Sequence, residues 1–350
     1  MDLFELIADA RDNKCSDLHI TAGTAVAVRK YGVLHILEDY IPTLEESEAM
    51  IMSLLDEEDK AKVLKGRDID VSSTDTQGRR FRANVYHQRN NLAASIRLIE
   101  SEIPTIEQLG MPSILKTFAV AKSGLVIITG PTGSGKSTTL ASMLNLINKT
   151  QSKHIMTIED PIEYVYKYDK AMIHQRQVGK DVPDFATALR SCLREDPDII
   201  MVGEMRDYET INAAVTAAET GHLVLSTLHT KSSAQTVERI ISCCPIEAQQ
   251  TLVSQLSSVL VGVVTQELIP LIDGSGRVAA TEVLVNNTAV SNLIKERKIN
   301  QINSALQSGM QIGMHTMNNS LFRLLSAGKI SKTEALRHSN NPAELEKNLM

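Results

Sequence analysis

Residues Gly130-Pro131-Thr132-Gly133-Ser134-Gly135-Lys136-Ser137 match the pattern G-x-x-x-x-G-K-[ST] in full. Glycines at these places let successive backbone N–H groups converge on phosphate oxygens. The lysine reaches the terminal phosphates of a nucleotide, and the serine hydroxyl is a ligand for Mg²⁺. The context agrees. The apolar run Leu125–Thr129 predicts a strand before the loop, and Thr138-Thr139-Leu140-Ala141 opens a helix after it. The start of that helix adds positive potential where the phosphates sit. The expected ligands are ATP and Mg²⁺, with Gly130 to Thr138 as the contacts.

Hydrolysis also needs a carboxylate beside the metal and a group that activates water. Ile199-Ile200-Met201-Val202-Gly203-Glu204 is an apolar strand ending in a carboxylate, a Walker B shape with Glu in place of the commoner Asp. Glu204 is therefore expected to act on Mg²⁺ directly or through water. Thr157-Ile158-Glu159-Asp160-Pro161-Ile162-Glu163-Tyr164 leaves a second strand in the same way. Ligands of parallel α/β sheets bind at the carboxyl ends of strands, where both acidic groups fall. By contrast, Asp196 and Asp198 flank Pro197 and read as turn chemistry.

His222 and His229 bracket the run Leu223–Leu228. Seven residues at ~3.3 Å each put them roughly 23 Å apart, too far to share an ion. His229, beside Thr230 at the carboxyl end, reads either as a γ-phosphate sensor or as a solvated strand end. His222 reads as structural. Arg190, Arg194, Arg206 and Arg239 lie in the same half of the chain. They suit surface ion pairs, which are worth little, or oxyanion contacts. Arg82 and Arg97 lie on an N-terminal hairpin, with surface pairing and arginine-finger roles both open.

The elements that position these residues divide the chain. Residues 1–100 read as a mixed α/β unit. Leu3, Leu6, Ile7 and Ala10 recur at helical spacing, and Ser16–Ile20 is a short strand. Pro42–Lys65 reads as helix. Arg80–Tyr86 alternates, with Phe81, Ala83 and Val85 to one side, and Ala94–Leu98 completes a hairpin. Pro104, Gly110 and Pro112 mark 101–118 as a linker. From 119 to 270, short apolar runs (Leu125–Thr129, His154–Ile158, Ile199–Val202, Leu223–Leu228, Val259–Thr265) alternate with helical stretches, which argues for a parallel sheet with crossover helices. Residues 271–350 read as mainly helical, with Ser331 and Glu334 at capping-box spacing and Pro342 opening a last helix.

The 350 residues carry 36 Lys and Arg against 42 Asp and Glu, a net charge of −6. An acidic chain with 3% aromatic residues and no Trp is poorly suited to nucleic-acid binding. Its four cysteines form no C-x-x-C pair, so a zinc or disulfide framework is not expected and a reducing compartment fits. Adjacent Cys243 and Cys244 read as apolar fillers. No apolar run approaches the ~20 residues of a membrane span, and the start, Met1-Asp2-Leu3-Phe4-Glu5, is acidic where a leader is basic. The expectation is a cytoplasmic protein without direct membrane insertion.

Taken in order, these motifs are similar to those of the secretion-superfamily ATPases of bacterial type IV pili, and most of all to their retraction branch. The resemblance runs from Ser16-Asp17-Leu18-His19-Ile20 through the Walker A loop, the Asp box Thr157–Tyr164 and the Walker B segment Leu193–Asp207. It continues through the His box, Thr220-Gly221-His222-Leu223 to His229-Thr230. It implies a PAS-like N-terminal domain joined to a RecA-like P-loop domain, assembled as a homohexamer. It also implies an inner-membrane pilus platform protein as partner, peripheral placement there, and in some systems a paralogous retraction ATPase. Glu163 would be the catalytic base, with Glu204 supporting Mg²⁺ and water. Arg82 and Arg97 match N-domain arginines that face phosphate, and Arg194, Arg206 and Arg239 match arginines near the site or the subunit interface. One departure stands out. The retraction branch carries an Ala-Ile-Arg-Asn-Leu-type motif, and here Ala289-Val290-Ser291-Asn292-Leu293 has Ser291 in place of the arginine. An accessory retraction ATPase, or the ATPase of a related assembly or secretion system, is the alternative.

Overall fold

The computed structural model describes residues 2–38, 40–99 and 102–348. It divides into two compact units, Met1–Glu102 and Ile103–Met350.

The first unit opens with α1 (Leu3–Asp12), whose start is fixed by a reciprocal capping box between Asp2 and Glu5. Leu3, Leu6, Ile7 and Ala10 are all buried. Strands β1 (Cys15–Thr21), β2 (Ala27–Lys30) and β3 (Val33–Ile36) follow, then α2 (Leu44–Met52) and α3 (Glu57–Val63). Here the expected single helix over Pro42–Lys65 is two. The chain breaks at Ser53 and restarts on Asp56, whose side chain caps α3. Strands β4 (Ile69–Thr74), β5 (Arg80–Gln88) and β6 (Asn91–Leu98) complete an antiparallel sheet ordered β3-β2-β1-β6-β5-β4. Phe81, Ala83 and Val85 are fully buried as the alternation requires.

The boundary between the units falls inside the stretch expected as a linker, and from Ile103 that stretch belongs to the second unit and sends side chains into its core. Ile106, Met111, Leu115 and Phe118 are buried there, the last two on α4 (Ile114–Ala119). Apolar side chains in that Pro- and Gly-punctuated segment outweigh its turn signals. Next come β7 (Gly124–Thr129), α5 (Lys136–Thr150), β8 (His154–Glu159), β9 (Met172–Gln177), α6 (Phe185–Cys192), β10 (Ile199–Val202), α7 (Tyr208–Glu219) and β11 (Leu223–Leu228). Then follow α8 (Ser233–Ser242), α9 (Gln249–Val259), β12 (Leu260–Pro270) and β13 (Arg277–Val285). The sheet order is β13-β12-β7-β11-β10-β8-β9, parallel except for the β12–β13 pair. Leu125 and Ile127 of β7 enter one apolar cluster and Val126 and Ile128 the other, so both faces are covered.

The region expected to be mainly helical from 271 therefore begins with a nine-residue strand, β13. Strand β12 also runs past its expected end to Pro270, because the two strands form one long hairpin. Helices α10 (Thr288–Lys295), α11 (Ile302–Ser308), α12 (Met317–Ser326), α13 (Lys332–Arg337) and α14 (Pro342–Asn348) follow. The register pairs Thr129 with Leu228, Val202 with Ser226 and Ile158 with Val202. The carboxyl ends of β7, β11, β10 and β8 therefore stand level.

Candidate active site

The loop after β7 takes its shape from glycine. Gly130 has φ +140°, and a Cβ there would lie 2.1 Å from the Gln266 carbonyl oxygen. Gly135, at φ +85°, caps α5 without any side-chain hydrogen bond. The first N–H groups of that helix are left facing the loop, an arrangement suited to an anion. Lys136 is 8% exposed and donates to the carbonyls of Gly130 and Pro131, both at 2.9 Å. Burial pushes its pKa down, opposed by the Glu204 and Glu163 carboxylates. Pro131, Thr132 and Gly133 form the exposed rim, while Ser137 and Thr138 are half-buried. Thr138 Oγ1 lies 3.0 Å from the Tyr164 hydroxyl. Ser134 Oγ is buried with no hydrogen-bond partner, a polar atom that fits a cradle meant for a polar ligand.

Glu204 follows β10 with its side chain 14% exposed. It pairs with the Arg206 guanidinium and faces His229 Nε2 at 3.5 Å. His229 Nδ1 is 3.4 Å from Lys136 Nζ. A lysine only donates and a carboxylate only accepts, so a neutral His229 with its proton on Nε2 satisfies both neighbours. Partial burial, and then the Lys136 cation, hold its pKa below the usual 6.5, against the pull of Glu204. Lys136, His229 and Glu204 thus form one continuous run across the ends of β7, β11 and β10. Thr129 Oγ1 accepts from the Thr230 amide at 3.0 Å and binds the Thr230 carbonyl at 2.8 Å, tying the loop strand to the histidine segment.

The two glutamates of the Asp box separate. Glu159 is 7% exposed and accepts from Thr157 at 2.6 Å and Gln175 at 3.1 Å. Burial raises its pKa. One of its oxygens also accepts from the Glu163 amide at 3.4 Å. The Glu163 side chain itself is exposed, beyond the Asp160–Pro161 cis peptide, and its charge is felt at Lys136. Glu159 thus anchors the segment that presents Glu163.

Other predicted residues lie elsewhere. His222 Nδ1 sits 2.9 Å from the Ala217 carbonyl at the end of α7, a structural place. Arg194 is exposed before β10, and Arg239 is exposed on α8. In the first unit Arg82 and Arg97 are register partners on β5 and β6, with Asp70 at 3.5 Å and Asp17 at 3.0 Å respectively. Two residues near the loop carry no motif signal. Gln266 of β12 is 1% exposed and contacts the loop, and buried Glu282 of β13 accepts from the first amide of α8 at 2.7 Å. A buried polar residue within a largely apolar strand is the only trace either leaves in the sequence.

The profile of the family described as "Type II/IV secretion system protein" matches residues 2–320. The chain is 43% identical over 344 residues to the type IV pilus retraction ATPase PilT of Pseudomonas aeruginosa, covering 98% of this chain and 99% of that one. It is 47% identical over 297 residues to a twitching motility protein of Neisseria gonorrhoeae, covering 85% and 79%. A solved structure of the pilus retraction motor PilT with bound ADP superposes with a TM-score of 0.90 at 44% identity over 99% of both chains.

Proposed function

The chain belongs to the type II/IV secretion system protein family as a P-loop ATPase, and from that premise we propose that its ATP cycle powers type IV pilus retraction. The observation that carries the chemistry is the unbroken run Lys136–His229–Glu204 beside an intact phosphate loop. ATP is held by the loop amides and by Lys136, which exchanges its two carbonyl partners for phosphate oxygens. The Ser137 hydroxyl and the Glu204 carboxylate are hard oxygen donors, the set that Mg²⁺ prefers. When bound there, Mg²⁺ neutralises charge on the terminal phosphates. Glu163, exposed and carried on a segment anchored by Glu159, takes the proton of the attacking water. His229 links the terminal phosphate region to Glu204 and reports its state.

The output rests on the likeness to PilT and to the twitching protein. The working form is a homohexamer in the cytoplasm, peripheral at the inner membrane, acting on a platform protein. Arg82, half-buried, and Arg97, exposed, are register partners on the hairpin and serve as the phosphate-facing arginines of the N-terminal domain, and Arg194, Arg206 and Arg239 serve the site or the ring interface. Ser291 favours a second reading, an accessory retraction ATPase. Its hydroxyl donates to the Ser257 carbonyl at 2.7 Å, so in place of an arginine's charge this position holds a short internal bond. The test is a count of surface pili together with twitching motility in a strain lacking the chain, complemented by wild type and by Glu204→Ala. More pili with lost motility supports retraction. Absent pili overturns it in favour of assembly. Unchanged pili and motility place the chain in the accessory role.

A further inference from the structure

The phosphate loop is gripped from outside its own strand–turn–helix by one side chain. Gln266 Nε2 donates to the Ser134 carbonyl at 2.6 Å, and Gln266 Oε1 accepts from Thr139 Oγ1 at 2.9 Å. Its backbone carbonyl closes over Gly130, and its side-chain Nε2 lies 3.3 Å from where a Cβ of Gly135 would be. One residue of β12 therefore meets the loop at its entry, its middle and its exit, and also the first turn of α5. A neutral amide is suited to this place, because it donates to a carbonyl and accepts from a hydroxyl within one planar group. The contact is buried, so no water replaces a lost partner, and an unpaired carbonyl there is costly.

Resting on the ATPase reading, we infer that Gln266 is a positioning residue for phosphate binding. By holding the Ser134 carbonyl outward, it keeps the neighbouring loop amides aimed at the phosphates. The loop grips phosphate before and during hydrolysis, so its loosening weakens the ground state and the transition state alike. The signature of such a loss is a raised KM with kcat retained.

The experiment compares wild type, Gln266→Met, Thr139→Val and the double variant in the full-length protein. It measures ADP affinity by calorimetry, steady-state ATPase kinetics, and melting without nucleotide. Gln266→Met keeps length and removes both bonds, and its Kd for ADP and KM for ATP are expected to rise about tenfold, with kcat within about twofold. Thr139→Val removes one bond and is expected to raise both about threefold. The double variant is expected to match Gln266→Met, since both act through one amide. A lowered melting temperature with unchanged Kd assigns Gln266 to packing alone and overturns the proposal, as does an unchanged Kd in both single variants. If Gln266→Met does not fold, Thr139→Val decides by the same readouts. Wild type that binds no ADP overturns the ATPase reading and this one together, whereas wild type that binds ADP as tightly as the variants overturns this one alone.

Discussion

At each end of the parallel strands sits a lysine, a carboxylate and a histidine, and the two sets behave oppositely. At the amino ends Lys153 Nζ lies 2.7 Å from Asp198, whose other oxygen accepts from the His154 amide at 2.9 Å. His154 Nδ1 is 3.0 Å from the Asp196 carbonyl. Burial would raise the Asp198 pKa, but the bonds from Lys153 and His154 outweigh it and hold the group low. The Lys153 and Asp198 charges neutralise each other locally. At the carboxyl ends Lys136 is buried yet bonded to carbonyls, and His229 is held neutral between a cation and a carboxylate. The same residue types make a closed surface pair at one end and an unneutralised, anion-seeking site at the other. Residue type alone does not mark a site; burial combined with incomplete neutralisation does.

The largest effect that tests this contrast comes from Lys136. Its replacement by Ala is expected to lower ATP turnover by roughly 10²–10³-fold, the cost of removing one aimed donor from an anion-stabilising site. A phosphate-release assay measures it, and unchanged turnover would dissolve the distinction between the two ends. Glu204→Gln keeps the size and hydrogen-bonding shape of the side chain and removes its charge. A loss of about 10²-fold in kcat is expected, within the range for groups that handle protons and charge. Glu163→Gln is expected to lose as much with nucleotide affinity retained; turnover near wild type would instead assign water activation to Glu204.

How far the sequence revealed this contrast differs by region. The phosphate loop was legible because its function depends on glycine torsions and one lysine at fixed local spacing, so the loop lies where the motif put it. The two acidic strand ends were legible because parallel strands must carry their ligands at one edge. The division of labour inside the Asp box was not, since Glu159 and Glu163 differ only in which one the turn buries. Gln266 was invisible because its partners lie 132 and 127 residues away in the chain. The unit boundary falls inside the linker expected at 101–118, yet most of that stretch belongs to the second unit, for a related reason. Its Pro and Gly residues bend the chain, but Ile106, Met111, Leu115 and Phe118 still find a core to join, and tertiary burial overrides turn chemistry.

A smaller effect, and a sharper one, lies in the pH dependence of His229. Its pKa stands below 6.5 through partial burial first and the Lys136 cation second. It is therefore neutral at pH 7 and above and takes up a proton only as pH falls below that ordinary value. The unfolded imidazole binds its proton at higher pH than the folded one. This residue's contribution to stability is thus present above pH 6.5 and lost on acidification. Protonation also removes the Nδ1 lone pair that accepts from Lys136. The expected result is an acid limb in kcat/KM below pH 6.5 for wild type that His229→Gln lacks. The variant's rate at pH 8 should be about tenfold lower, the worth of one hydrogen bond to a charged partner. A His229→Gln profile that keeps the acid limb would assign that titration to another group.

The smallest expected effect is the one that closes the comparison. Lys153 and Asp198 are each 40% exposed, so their attraction is screened by water and salt. Lys153→Ala is expected to cost less than about 1 kcal/mol of stability, as exposed pairs do, and to leave kcat and KM unchanged. Asp198→Ala removes more, because the His154 amide at the start of β8 loses its acceptor as well. Its cost should exceed that of Lys153→Ala in denaturant unfolding and again leave the kinetics alone. If either substitution changed turnover without changing stability, charge at the amino ends would be coupled to chemistry at the carboxyl ends. The strands would then carry electrostatic information along their length, and the two ends would not be independent.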